Sequence, residues 1–288
     1  MPPLWNAMEE SKRIERSIIT TYRKTIWNRF IEGVKKYRMV NEGDRIAVCL
    51  SGGKDSALLV KCMQQLQRYG DCRFDLQVIV MDPGYSLENR KKIEENCARM
   101  GITPHIFETD VFASVDQAEK NPCYLCARMR RGHLYACAES LGCNKIALGH
   151  HFDDVIETTL LGLLYGAQVQ TMLPKLHSTN FTGMELIRPL YCVREKDIVR
   201  FAKYNHLEFL QCACRVTSKD AGCDSESTSK RKYVKSMIED LTKNNSQVPV
   251  NIFRAMENVK LAEVIGYTDG DGYHNFMDNY DKESIEYQ

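Results

Sequence analysis

The chain has 288 residues, of which 43% are hydrophobic and 27% charged, with a formal net charge of +1. Those values are ordinary for a soluble globular protein and long enough for one large domain with extensions. The longest apolar run, Leu160–Tyr165, is far too short to span a membrane, and the start, Met1 to Trp5 followed by charge, has no secretory core.

A protein of the cytoplasm, with no membrane partner, is therefore expected. The near-neutral total hides an asymmetry. Residues 1–40 carry nine Lys/Arg against four Asp/Glu, whereas residues 269–288 carry one Lys against six acids. Twelve cysteines in a chain with no export signal read as reduced thiols, some packed as small hydrophobes and some available to a metal or to sulfur.

In chain order, residues 9–40 predict one or two amphipathic helices. Ile14, Ile18, Ile19, Tyr22, Ile26, Phe30 and Val34 recur at helical spacing, with Arg13, Arg16, Arg23, Lys24, Lys35 and Lys36 between them. The basic side of these helices suits a phosphate backbone or a homodimer contact.

Strands are then expected at Ile46–Leu50, Leu76–Met81, His105–Phe107 and Ile146–Leu148, with helices near 55–68, 86–100 and 127–141 between them. This alternation predicts an α/β fold with a doubly wound, mostly parallel sheet, whose ligands sit at the carboxyl ends of the strands. A helix near Asp153–Leu164, an irregular stretch over 166–190 and a helix over Arg194–Tyr204 follow. Residues 215–230 read as a polar loop, Lys232–Thr242 and Val250–Gly266 as helices, and everything from Tyr267 onward as an aperiodic acidic tail. The expected division is a basic helical extension (1–40), a nucleotide domain (41–215), a helical region (216–266) and the tail (267–288).

The most specific motif is Ser51-Gly52-Gly53-Lys54-Asp55-Ser56, between the first strand and its helix. Adjacent glycines and a helix N-terminus present backbone N–H groups to a phosphate. Lys54 adds a cation, Asp55 a candidate Mg²⁺ ligand, and Ser51 and Ser56 hydroxyl donors. The spacing is not that of the common nucleotide loop, which needs four residues between its first Gly and its Gly-Lys-Ser/Thr. Asp82 and Gly149-His150-His151 fall at neighbouring strand ends. Asp153 and Asp154 open the next helix, where acids suit the helix dipole and where one of them can also hold Mg²⁺.

Cys123 and Cys126 form a C-x-x-C with Arg128, Arg130 and Arg131 just behind. Such a pair can bind a metal ion or cluster iron, or cycle as a redox couple, and nearby cations favour the thiolate. Further cysteines wait at Cys212, Cys214 and Cys223, with no second C-x-x-C, so a four-cysteine zinc ribbon fits poorly. The other cysteines are expected to be packing residues. Arg194-Glu195-Lys196-Asp197 reads as the charged first turn of a helix, and Lys230-Arg231-Lys232 as a second basic cluster.

Together these motifs, with Gly43-Asp44-Arg45, Lys145 to Asp154, Pro174-Lys175 and Arg188-Pro189-Leu190, resemble the PP-loop ATP pyrophosphatase superfamily. Within it they resemble the tRNA 2-thiocytidine synthetase (TtcA-like) family over about Asn41 to Val259. The resemblance implies an adenine nucleotide alpha hydrolase-like fold and an enzyme that thiolates a tRNA cytidine using ATP and Mg²⁺. It implies that Lys54 and Asp55 are catalytic and that Ser51, Gly52, Gly53, Ser56, Asp82, Gly149, His150, Asp153 and Asp154 bind the nucleotide. Cys123, Cys126 and Cys212 would ligate a 4Fe–4S cluster, Cys214 being the alternative third ligand, and a cysteine desulfurase would supply sulfur. The segment Cys212-Ala213-Cys214 is one residue shorter than the family's Cys-x-x-Cys. Other acceptors, or an RNA-binding protein that performs no catalysis, are the competing readings.

Overall fold

The computed structural model describes residues 4–115, 122–210, 226–278 and 280, with the side chains of 4–7, 122–123 and 226–229 excepted. A larger unit runs to Met237 and a smaller one begins at Ile238.

The first strand of the larger unit, β1 (Arg45–Cys49), is apolar on both sides. Ile46, Ala47 and Val48 are fully buried, as a central strand of a two-faced sheet requires. It is flanked by β2 (Asp75–Asp82) and β4 (Lys145–Ala147), both parallel to it. β3 (His105–Glu108) pairs parallel with β2, and β6 (Glu185–Ile187) parallel with β4. An antiparallel strand, β5 (Lys175–His177), closes one edge, giving the order β3-β2-β1-β4-β6-β5. The doubly wound, mostly parallel sheet expected from the alternation is what forms.

Helix α6 (Pro122–Ser140) covers one face, where Tyr135 and Ala138 meet Ala47, Cys49, Ile79, Ile146 and Leu186. Ile46 and Val48 point the opposite way by strand alternation, towards α3 (Lys54–Tyr69), which runs against β1 and β2. Helix α4 (Leu87–Met100) links β2 to β3. Its Ser86 cap accepts from Asn89 N–H, and Gly101 ends it in the left-handed conformation. The short α5 (Val111–Val115) precedes α6.

The predicted N-terminal periodicity is realised as α1 (Leu4–Ile19), a π-turn (Arg23–Trp27) and α2 (Asn28–Lys36). Ile14, Ile18, Ile26, Phe30 and Val34 are buried, and Arg13, Arg16, Arg23, Lys24 and Lys35 are exposed. A fully buried cation, Lys61 of α3, ties α1 to α3 and to the end of α4. Its ammonium donates to Glu15 at 2.5 Å and to the Met100 carbonyl at 2.7 Å. A buried charge is tolerable only with such partners.

Helices α7 (Phe152–Gly166), α8 (Glu195–Tyr204) and α9 (Glu226–Asn244) follow. The stretch 166–190 is more regular than expected, because it supplies β5 and β6. Of the loop expected over 215–230, residues 226–230 are helical, and 215–225 lie outside the described residues.

In the smaller unit, α10 spans Val248–Ala255 and opens on Pro249 in its first turn. The helix predicted over Val250–Gly266 thus stops early. Val259, Leu261 and Ile265 are exposed, so their spacing marks no buried helical face. The tail expected to be aperiodic from Tyr267 contains a hairpin, β7 (Gly266–Asp269) with β8 (Gly272–Asn275). Asp269-Gly-Asp-Gly272 supplies its turn, with Gly272 at φ +127°. Among the described residues no helix is long and apolar enough to cross a membrane.

Candidate active site

The loop Ser51–Ser56 leaves the carboxyl end of β1 and becomes the first turn of α3. Its shape depends on Gly52, whose φ is +81° and whose missing Cβ would lie 2.9 Å from Ile93 Cγ1. Ser56 is turned inward: its hydroxyl donates to the Gly53 carbonyl at 3.0 Å and accepts from Ser51 N–H at 3.1 Å. Ser51 Oγ lies 3.1 Å from the same hydroxyl. Ser56 therefore braces the loop, while Ser51, Gly53, Lys54 and Asp55 face a cleft of about 1090 Å³. Gly149, at the end of β4, has to be glycine because a Cβ would sit 2.9 Å from Ser56 N. The end of β4 and the first turn of α3 thus meet backbone to backbone.

Lys54 Nζ is shared between Asp55 Oδ2 at 3.2 Å and Glu195 Oε1 at 3.1 Å. Burial works against its charge, yet the two carboxylates outweigh it and hold the group above the ordinary lysine range. Glu195 Oε2 in turn accepts from Lys235 Nζ at 2.5 Å. Burial alone would raise the Glu195 carboxyl, but the hydrogen bonds from Lys235 and Lys54 bring it down to about 2. Burial keeps the Asp55 carboxyl above the usual aspartate range, with His151 and Lys54 offsetting only part.

The other predicted acids are engaged elsewhere. Asp82 accepts from Gly84 and Tyr85 N–H at 2.9 and 2.7 Å and from Arg90 Nη1 at 2.6 Å, so it shapes the turn after β2. Asp153 accepts from Glu195 N–H at 2.6 Å and pairs with Arg194 Nη2 at 3.1 Å, pinning the start of α8. Asp154 forms a capping box with His151 and meets Arg231 Nη1 at 3.2 Å, a guanidinium that also reaches Glu157 at 3.3 Å.

Asp55 differs from all of these. Its Oδ1 is buried and has no hydrogen-bond partner, and the imidazole Nε2 of His151 is 3.8 Å away. An unsatisfied carboxylate oxygen beside a phosphate loop is the donor a hard divalent cation takes. Of the predicted Mg²⁺ ligands, Asp55 fits best.

At the next strand ends stand His150 and Arg188. Burial, and then the Arg188 charge, push the His150 imidazole down to about 4, so it is neutral near pH 7. Burial likewise brings Arg188 down to about 10. His150 Nδ1 and Arg188 Nε are buried without partners.

Cys126 and Arg130, one helical turn apart on α6, face the same cleft as Lys54 and Asp55. Cys123 lies in the first turn of α6, and its side chain is outside the described residues, as are Cys212 and Cys214. Leu210, the last described residue before them, also lines the cleft, and its N–H donates to the Gly52 carbonyl at 3.3 Å. The chain thus enters the Cys212 segment from the rim of the phosphate loop. Among the described residues no three His, Cys, Asp or Glu side chains form a metal site by themselves. Cys49, Cys62, Cys97 and Cys143 are buried packing residues, as expected. Glu195, Lys235 and Arg188 are the site residues that sequence reasoning did not single out.

A family model for the PP-loop domain matches residues 23–215. The chain is 36% identical over 269 residues to a tRNA-cytidine(32) 2-sulfurtransferase of Coxiella burnetii, covering 89% of this chain and 94% of that protein. It is 38% identical over 233 residues to a protein of the same name from Alkalilimnicola ehrlichii, covering 79% of this chain and 70% of that protein. Among solved structures it is similar to the U34-tRNA thiolase NcsA from Methanococcus maripaludis with its 4Fe-4S cluster. The TM-score is 0.59 at 20% identity, over 88% of this chain and 80% of that one. At that identity the likeness establishes the shared fold.

Proposed function

The chain belongs to the PP-loop family and to the family of its tRNA-cytidine(32) 2-sulfurtransferase relatives, and from that premise we propose that it is an ATP-dependent tRNA sulfurtransferase acting on a cytidine. The observation that carries this reading is one cleft shared by Lys54, Asp55 and Cys126. A phosphate-binding cation, a free carboxylate oxygen and a thiol face the same volume, so activation and sulfur transfer can occur in one place.

The chain's residues divide the work as follows. Loop N–H groups and Lys54 hold the ATP phosphates, and Asp55 would hold Mg²⁺ there, which when bound supplies positive charge against the phosphates. The base carbonyl oxygen attacks the α-phosphorus and the bond to pyrophosphate breaks, its departing charge balanced by Lys54. A hydrosulfide then forms a bond to the base carbon as that carbon's bond to oxygen breaks, the oxygen leaving in AMP and the proton on sulfur passing to solvent. Adenylation is what turns that oxygen into a good leaving group. Arg130 adds positive charge to the wall that carries Cys126.

Cys126, with Cys123 and Cys212, would hold a 4Fe–4S cluster, which when bound supplies an iron able to carry inorganic sulfur. The donor chemistry fits: Cys126 opens on the cleft, and the chain leading to Cys212 is hydrogen-bonded to the loop. A cysteine desulfurase is the proposed sulfur source, its persulfide sulfur being reduced to hydrosulfide by two electrons from an external thiol reductant. The exposed basic residues of α1 and α2 are proposed to contact tRNA or a second copy of the chain. A reducing, cytoplasmic setting is proposed, in which the Cys123 and Cys126 thiols stay available to the cluster. Residues 41–215 are proposed as the catalytic domain, with 1–40, 216–266 and 267–288 as its extensions.

Anaerobically purified protein should convert ATP to AMP and pyrophosphate only with tRNA present, and should contain iron and acid-labile sulfide. Turnover without tRNA dependence, or a cluster content unchanged in Cys126→Ala, would count against the reading.

A further inference from the structure

In the structure the Lys54 ammonium is not poised in the open but divided between Asp55 and Glu195, at 3.2 and 3.1 Å. A polyphosphate that recruits this ammonium has to compete with the Glu195 carboxylate for it, at separations where charges interact strongly. Glu195 does not depend on Lys54 for its position. Its backbone N–H is fixed on Asp153 Oδ2 at 2.6 Å, and its second carboxylate oxygen is held by Lys235. Arg231, one turn before Lys235 on α9, is committed to Asp154 and Glu157, so Lys235 is the cation that this helix offers Glu195.

We propose that Glu195 is a positioning residue that holds Lys54 between turnovers, and that Lys235 sets how strongly it competes with bound polyphosphate. When phosphate takes the ammonium, Glu195 keeps Lys235 as a partner and is never left as a lone buried charge. When pyrophosphate leaves, Glu195 recaptures Lys54. The carboxylate thereby limits product affinity at a loop otherwise built to hold phosphate tightly. The Glu195 carboxyl, held well below the usual glutamate range, agrees with an anion paired on both oxygens. This role rests on the reading that Lys54 grips the ATP phosphates.

The test is calorimetric binding of magnesium pyrophosphate to the full-length, cluster-loaded protein. Glu195→Gln keeps the shape and removes the charge, and should tighten binding about three- to tenfold. Lys235→Met should weaken it by a comparable factor, because Glu195 then has only Lys54. In the Glu195→Gln background the Lys235→Met effect should fall to less than about twofold. Structural damage would weaken binding in both single variants. That outcome, or unchanged binding in Glu195→Gln, would overturn the role of Glu195. Wild-type protein that binds neither pyrophosphate nor ATP would instead overturn the phosphate-loop reading, and this role with it.

Discussion

Lys54 and Glu195 stand 141 residues apart in the chain, and their charged atoms lie 3.1 Å apart. One belongs to the phosphate loop and the other to the first turn of α8, which Asp153 pins in place. The Lys54 ammonium is thus oriented by a relay of acids and not by the loop alone, and the relay makes several outcomes measurable.

Replacing Lys54 with Ala should abolish the charge that balances departing pyrophosphate. A loss of about 10²–10³-fold in tRNA-dependent AMP formation is expected for one preorganised electrostatic contact. Thermal denaturation should change little in comparison, since the side chain is partly exposed. A rate within a factor of two of wild type would remove Lys54 from the chemistry.

Asp55 and Glu195 should respond to pH with opposite signs. Asp55 has its acidity weakened on folding, so its ionised form costs stability above the carboxylate range and that cost vanishes as pH falls. Asp55→Asn should therefore raise the Tm of nucleotide-free protein at pH 7 by about 1–3 °C while abolishing Mg²⁺-dependent turnover. A lowered Tm would show that the carboxylate is stabilising after all.

Glu195 is the reverse case. Its folded-state acidity is strengthened, from 4.5 to about 2, so its contribution is full above the unfolded value and is lost as pH falls through that window. Glu195→Gln should lower Tm at neutral pH. The gap to wild type should narrow as pH drops below about 4.5, as differential scanning fluorimetry across pH would show.

Gly149→Ala tests the backbone contact between the ends of β4 and α3. A Cβ 2.9 Å from Ser56 N meets main chain that cannot swing aside, and so should cost about 1–3 kcal/mol. Nucleotide affinity should fall with stability, because Ser56 braces the loop. Unchanged stability in chemical denaturation would mean that the strand end is free to shift.

Much of this was legible in the chain. The strand, paired glycines and helix around Lys54 are local features, each set by a few neighbouring residues. The alternation that follows fixes a parallel sheet for the same reason. The strands β5 and β6 were not legible, because Lys175-Leu-His177 and Glu185-Leu-Ile187 lack the three-residue apolar run, Ile146-Ala-Leu148, that marks the equally short β4. The hairpin at Gly266–Asn275 did carry a signal, the Asp-Gly-Asp-Gly turn between tyrosines, which the surrounding acidity obscured. The roles of the acids were the least legible. Asp55, Asp82, Asp153 and Asp154 share one residue type and differ only in which cation or amide, near or far along the chain, reaches them. Glu195 read as an ordinary helix-opening acid because both cations on its carboxylate come from other elements.

On the proposed function, the phosphate loop and Cys126 serve one reaction, sulfur insertion into a tRNA cytidine. Mass spectrometry of tRNA nucleosides tests this in a strain lacking this chain, complemented in turn by wild type, Lys54→Ala and Cys126→Ala. The expected result is that 2-thiocytidine disappears on deletion and returns only with the wild-type chain. An unchanged thionucleoside profile in the deletion strain, or full restoration by either variant, would contradict it.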